Sequence, residues 1–559
     1  MPLISRRPLL LVGIIWLAFL LKALFYASFI PLWEGYDEYS HFAFVQYLDQ
    51  NAKLPTAASN SSREVAESLD LAPVPWLLRS AQPGWMTHDD FWKLPPDVRQ
   101  QRESRLRSIP PQWAREPAIP PLPLYEAQQP PLPYLILWLP YRALEHASLL
   151  TRIWALRLTC SFLASFAIPL GFLLARRVFA NDAWSLGVIA IAASMPELMI
   201  TTARVSNEGL AIAIGCACIL AFLPIAIQPI CKISTSACFG LSLAAALLTK
   251  AYFLAFFGAI AVVFAWMMFR HRKLRDPLLF RFSIVVALPI AVAGWWYLRN
   301  LGLTGTVTGL AEDVRSRSSE ISGLQGFVAA PWWKIVDFAA LSHIWLGGWS
   351  FLVLRSWMYH GVELIFLAAV AGIGWSILHR LNPGRRVLLV LLLPQFFLWL
   401  GLAYNALASF RGHGGMTVGY YAYCFVIPEG ICLLIGLRAL FPASLERLVI
   451  PALVACFTAL EFFAVNFVLI PYYTGLTAYT PRGSVPALHV SQLAHGGFAE
   501  IFQRLAMGKT AFLSPEVLFI LWTLFVISSL GLVAISFLLA SRCRRPNDSA
   551  PLCVLRVSA

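Results

Sequence analysis

The sequence predicts an all-α polytopic membrane protein of about twelve transmembrane helices, with a long first loop outside the membrane. Three observations carry that prediction. Of 559 residues, 58% are hydrophobic and 13% charged, with a mean hydropathy of +0.68, a balance that excludes an ordinary soluble domain. Apolar stretches close to the ~20 residues needed to cross a bilayer recur along the chain. Short basic clusters separate them: Arg6-Arg7, Arg176-Arg177, Arg270 to Arg275, Arg385-Arg386 and Arg542 to Arg545. The formal net charge of +14 is therefore spread in the positive-inside manner that orients a membrane chain, and is not gathered into a nucleic-acid-reading module.

Taken in order, the expected spans are roughly 10–30, 152–175, 184–203, 208–229, 236–250, 252–269, 279–298, 358–378, 387–408, 418–438, 448–470 and 514–540. The first has basic residues ahead of an apolar run, like a signal peptide, but the run continues to about Pro31 without a small-residue cleavage site and reads as a span. With the N-terminus inside, alternation returns the C-terminus inside and keeps the basic clusters cytoplasmic. Lys250 interrupts 236–269, which predicts two short helices meeting near the outer surface, where Lys250 reaches water or an anion. Three long loops fall outside, at about 31–151, 300–357 and 471–513. The first holds 15 of the 37 prolines between Pro55 and Pro133, together with Trp76, Trp85, Trp92 and Trp113, which argues for short helices and extended segments over a sheet domain. Within it, Leu135 to Tyr141 is too short to cross and predicts an interfacial helix. The second contains the polar run Glu312 to Glu320 and then Trp332-Trp333, His343, Trp345, Trp349 and Trp357, residues that also serve as interfacial anchors. None of the ten cysteines lies in these loops, so no disulfides are expected there. The chain divides into 1–440, a transmembrane module holding the first two loops, and 441–559, a C-terminal region with the third loop and a cytoplasmic tail.

The chemistry gathers in Pro31 to Pro55. A helix beginning there would carry Glu34, Asp37, Glu38 and His41 at i, i+3, i+4 and i+7 along one stripe. Ionisable groups at the mouth of a bilayer are functional candidates by default, although Asp37 also suits a helix cap. Arg204, Lys250, Arg299 and Arg411 stand at outer ends of spans, where the positive-inside rule disfavours them. An arginine fork and a lysine point charge suit a lipid phosphate; local pairing, such as Arg204 with Glu208 at i+4, is the plainer alternative. His41, His343 and His413 could serve as a second base or as ligands, and Tyr420 and Tyr421 could pack on a sugar or phosphate. No nucleotide-binding fingerprint is present.

Five short motifs occur in order: Asp37-Glu38, Gln129-Pro130-Pro131-Leu132, Ser206-Asn207-Glu208, Thr249-Lys250 and Arg299-Asn300. Together they resemble the C-type (GT-C) membrane glycosyltransferases, in particular bacterial members of the protein O-mannosyltransferase and lipid A aminoarabinose transferase type. The resemblance spans roughly residues 8–440. It implies a GT-C-like fold and transfer of a sugar from a polyprenyl-phosphate-linked donor to an extracytoplasmic lipid, glycan or protein acceptor, at the outer face of a bacterial cytoplasmic membrane. Asp37 matches the family's acidic residue, with Glu38 as alternate. Lys250, Arg204, Arg299 and Arg411 would meet the donor phosphate. Glu34, His41, Gln129, Asn207, Glu208, His343, Tyr420 and Tyr421 would line the substrate pocket. No cofactor and no metal-ligating residues are expected beyond the polyprenyl-phosphate sugar as donor substrate, and dependence on a divalent metal is left open. The chain departs from the family in having Gln128-Gln129 beside the proline motif and Gly419-Tyr420-Tyr421 before a late span, so other groups must meet the phosphate charge. A transporter or flippase is the competing expectation, although no internal repeat supports it. A receptor or assembly protein would leave the acidic segment and the outer cations unrelated.

Overall fold

The computed structural model describes residues 6–228, 230–379, 385–412, 416–480, 483–488 and 497–542. His413, Cys543, Cys553 and most of the predicted C-terminal basic cluster and tail lie outside them. Ten helices are long and apolar enough to cross a membrane, and an eleventh span forms if the bent pair Asp182–Ser194 and Pro196–Thr202 is counted as one. The remaining expected span is the shorter Ile233–Leu247 helix, whose 15 residues rise about 22 Å, less than the ~30 Å hydrocarbon layer. Among the described residues the β pairing consists of two isolated bridges, Asn60 with Pro123 and Ser62 with Pro117. The chain is a polytopic helical membrane protein.

Lys250 takes an extended conformation between the Ile233–Leu247 helix and the turn that opens Phe256–Arg270, as the interrupted hydropathy predicts. The proline-rich loop likewise forms short helices, including Arg63–Leu71, whose N-cap Ser62 accepts from Val65 N at 3.2 Å. The expected interfacial helix is Leu132–Ala143. This loop is fastened to the second span, Leu149–Val178, by buried polar groups. Arg152 pairs with Glu64 and donates to the Tyr141 hydroxyl at 2.9 Å, while Gln46 donates to the other Glu64 oxygen at 2.7 Å. A buried ion pair is tolerated when its remaining valences are satisfied in this way.

Two further charged contacts tie the C-terminal region to the first span, Arg6–Phe29. Lys22 is fully buried, 2.8 Å from Glu461, and donates to the Ala193 carbonyl at 2.7 Å. That carbonyl lies just ahead of the 65° break at Pro196, where proline offers no N–H and Met195 turns extended. Lys509, also buried, donates to the Phe29 carbonyl at 2.8 Å and to that of Ile30, where the first span ends.

One expectation fails in the segment after that span. The helix begins at Glu38 and runs to Asn51, so Glu34 and Asp37 precede it in a tight turn and the four-residue stripe does not form. Gly35 permits the turn: a Cβ there would stand 2.8 Å from the Arg204 Cβ.

Candidate functional site

The turn at Asp37 opens onto a cavity of about 950 Å³. Leu254, Phe397, Leu400 and Leu402 give it an apolar lining, and Asp37, Glu126, Gln129, Lys250, Glu312 and Tyr421 bring polar groups to the same space. This combination suits a ligand with a long apolar part and a polar head.

Asp37 occupies the N-cap position of the Glu38–Asn51 helix, but its side chain makes no capping bond. Its backbone is left-handed, at φ 54° and ψ 22°. Trp33, Asp37 and Phe351 are three of the four described non-glycine residues with positive φ, and they lie in two segments, 33–37 and 345–351, that hydrogen-bond to each other. Such conformations cost on the order of 1–3 kcal/mol each and persist where surrounding contacts over-determine them. Here the Ser350 N–H donates to Glu34 Oε1 at 3.0 Å and the Gly348 N–H to the Tyr36 hydroxyl at 3.2 Å. The half-buried Asp37 carboxyl is thus turned toward the cavity instead of onto its own helix. Desolvation by the surrounding protein raises it to about 6, against the opposing pull of the Arg204 charge.

Glu126 is the partner that sequence reasoning missed, although it stands three residues before the quoted proline motif. It is buried, its Oε2 has no hydrogen-bond partner, and its backbone N–H donates to the Ser40 hydroxyl at 2.9 Å. Burial, and then the charge on Asp37, push its carboxyl up to about 8. Behind it, His41 Nδ1 lies 2.8 Å from the Tyr134 hydroxyl and Nε2 lies 3.9 Å from Glu126 Oε1. Burial, reinforced by the charges of Arg204 and Lys250, holds that imidazole well below its ordinary value, hence neutral near pH 7. The pair offers one carboxylate able to accept a proton and one carboxylic acid able to hold it.

Of the four expected phosphate cations, Lys250 alone is on the cavity wall. It pairs with Glu208, which also accepts from the Tyr252 hydroxyl at 3.1 Å, and its ammonium sits 4.2 Å from the centre of the Tyr421 ring. Arg204 is buried one layer back, 4.2 Å over the Tyr36 ring and 5.0 Å over that of Tyr420, with Nε and Nη1 unpartnered. Gln129 is on the wall and accepts from Asn207 at 3.1 Å, which places Asn207 behind it.

Several expected site residues lie elsewhere. Glu38 is no alternate to Asp37: Arg157 grips both its oxygens at 2.6 and 2.7 Å, and the Val205 N–H donates to it at 3.0 Å. Glu34 is buried against the 348–350 backbone and His88. Arg299 donates to the Pro55 carbonyl at 2.8 Å and covers Trp296, while Arg411 donates to the Ile321 carbonyl at 2.9 Å; both staple loops. His343 faces a second, largely apolar cavity of about 870 Å³, 2.7 Å from Glu429. Tyr420 stacks on Tyr36 at 4.5 Å and only its neighbour Tyr421 reaches the first cavity. Among the described residues, no group of three or more His, Cys, Asp or Glu is arranged to hold a metal ion.

Neither a protein-family profile nor a curated protein matches the chain. Among solved structures it is similar to the crystal structure of ArnT from Cupriavidus metallidurans bound to undecaprenyl phosphate, at 11% identity, covering 96% of this chain and 77% of that one, with a TM-score of 0.44.

Proposed function

We propose that this protein is a membrane glycosyltransferase that moves a sugar from a polyprenyl-phosphate carrier to an acceptor at the outer face of the cytoplasmic membrane. The observation that carries this reading is a left-handed Asp37, without a side-chain capping bond, on the wall of a large cavity of mixed apolar and polar lining that also holds Glu126 and Lys250. The apolar lining suits a polyprenyl chain, and the polar groups suit a sugar and its phosphate.

In this mechanism Asp37 takes the proton of the acceptor hydroxyl or amine as that atom attacks the anomeric carbon from the face opposite the phosphate. The new glycosidic bond forms, the carbon–oxygen bond to phosphate breaks, and the polyprenyl phosphate leaves with its electron pair. Configuration at the anomeric carbon inverts. A base near pH 6 is matched to this step at neutral pH, because it is ionised yet still basic. In this scheme Lys250, on the cavity wall, meets the growing phosphate charge, and Arg204 adds a second positive charge from behind. No nucleotide or metal enters the scheme.

The test is transfer of label from a radiolabelled polyprenyl-phosphate sugar in membranes containing the intact protein or Asp37→Asn. Asparagine tolerates the left-handed backbone, so the variant removes the base with little added strain. Transfer by the intact protein alone is expected. Equal transfer by both forms rejects Asp37 as base, and labelled lipid crossing to the other leaflet without transfer replaces the enzyme with a flippase.

A further inference from the structure

The buried carboxylate of Glu197 takes no part in the proposed chemistry and meets no cation in an ion pair among the described residues. It follows Pro196 at the 65° break, is fully buried, and makes no ion pair among the described residues. Both oxygens are nonetheless occupied. The Tyr36 hydroxyl donates to Oε1 at 2.5 Å, and the backbone N–H groups of Leu346 and Gly347 donate to Oε2 at 2.8 and 3.5 Å. Gly347 and Gly348 adopt φ of 72° and 78°, which turn their N–H groups inward, and the Gly348 N–H returns to the Tyr36 hydroxyl at 3.2 Å. Tyr36 immediately precedes Asp37. Its ring carries the Arg204 guanidinium on one face and stacks on Tyr420, with Trp349 edge-on at 4.9 Å. One carboxylate therefore joins the helix break, the turn that aims Asp37 and the segment that bears Trp349. Keeping a carboxylate in so buried a place is costly, and its bonds go to the neighbour of the proposed base and to the backbone segment that itself bonds that neighbour.

We infer that Glu197 is a positioning residue: through Tyr36 and the 346–348 backbone it holds Asp37 and Arg204 in register with the cavity. This inference rests on Asp37 being the base of the transfer reaction. The charged groups that act on Asp37 are Arg204, Lys250 and Glu312, with Glu126 beside it in the cavity. Loosening Tyr36 changes the distance to the first of these most directly.

Glu197→Gln supplies one acceptor where two are used and turns an amide N–H toward another donor. Tyr36→Phe removes the hydroxyl but keeps the ring. In purified full-length protein, both variants are expected to lower kcat by about 10- to 100-fold with little change in KM for the donor lipid. They should displace the acidic limb of the pH–rate profile, and the double variant should be no slower than the slower single one, because both cut the same link. A second readout is carbodiimide labelling of Asp37 against pH, followed by mass spectrometry, which requires no turnover; its midpoint should shift in either variant. Unchanged kcat, pH profile and labelling in a folded variant overturn the inference, as do additive effects. If Glu197→Gln does not fold, the same outcomes in Tyr36→Phe decide it. A shifted labelling midpoint in a protein that transfers no sugar even when intact upholds the positioning role and rejects the transferase.

Discussion

At the residue scale the site is governed by two carboxyls that burial pushes upward by different amounts, Asp37 to about 6 and Glu126 to about 8. Transfer that needs an ionised base and a protonated neighbour should rise with pH through about 6 and fall beyond about 8, with both apparent values belonging to the pair. Glu126→Gln keeps the neighbour neutral and should flatten the alkaline limb; an unaltered alkaline limb would exclude Glu126 from the reaction. The sign for stability follows from the same shifts. A carboxyl raised in the folded state contributes stability at low pH that is lost as pH rises through the folded value. The melting temperature of the intact protein should therefore decline from about pH 5 to pH 8, and that of Glu126→Gln should decline less. Glu38 belongs to another category, since both its oxygens are committed to Arg157. Glu38→Gln should cost about 3–5 kcal/mol in unfolding free energy by leaving a buried guanidinium without its counter-charge. Sequence spacing could not separate these roles. Asp37 and Glu38 are adjacent, and which of them faces the cavity depends on the helix starting at Glu38 and on a left-handed turn, features set by contacts with residues 197 and 346–350.

At the scale of the helices, most of the fold is legible in hydropathy, because an apolar run long enough to cross a bilayer has few other places to go. The interrupted run around Lys250 was readable for the same reason. What hydropathy does not encode is direction. A cation at the end of a span can face a cavity, as Lys250 does, or a loop carbonyl, as Arg299 and Arg411 do, and a rotation of about 100° per residue separates these outcomes. Helix separation is equally hidden. Gly215, in the Glu208–Ile227 helix, approaches the backbone of the 419–425 segment so closely that a Cβ would meet the Cys424 carbonyl oxygen at 2.1 Å. Small residues of this kind set how near membrane helices come. Gly215→Val should destabilise by about 1–3 kcal/mol and displace the wall that carries Tyr421, lowering transfer more than Gly13→Val, which meets open space. Equal effects of the two substitutions would show that this approach does not matter.

At the scale of the whole molecule, residues more than 400 positions apart meet in the membrane and at its surface, which no local pattern foretells. Lys22 with Glu461, and Lys509 with the end of the first span, make the C-terminal region part of the scaffold under Asp37. A chain ending at 440 would leave Lys22 buried without its counter-charge and should not accumulate as folded protein; recovery of an active 1–440 fragment would refute this. Lys22→Met alone should cost about 3–5 kcal/mol, and adding Glu461→Leu should recover most of it, because two apolar groups replace a pair whose desolvation was unfavourable. The cavity itself has one more consequence. Its walls carry Asp37, Glu126, Glu312 and Asp313 against Lys250 and Arg315, both of which already contact carboxylates. An anionic carrier lipid entering this space should bring a proton with it. Titration calorimetry of a polyprenyl phosphate at pH 7.5, in buffers of different ionisation enthalpy, should register net proton uptake, so that affinity strengthens toward lower pH even as the chemical step slows. Binding heats that do not depend on the buffer would mean that the resting cavity admits the phosphate without a change in its own protonation.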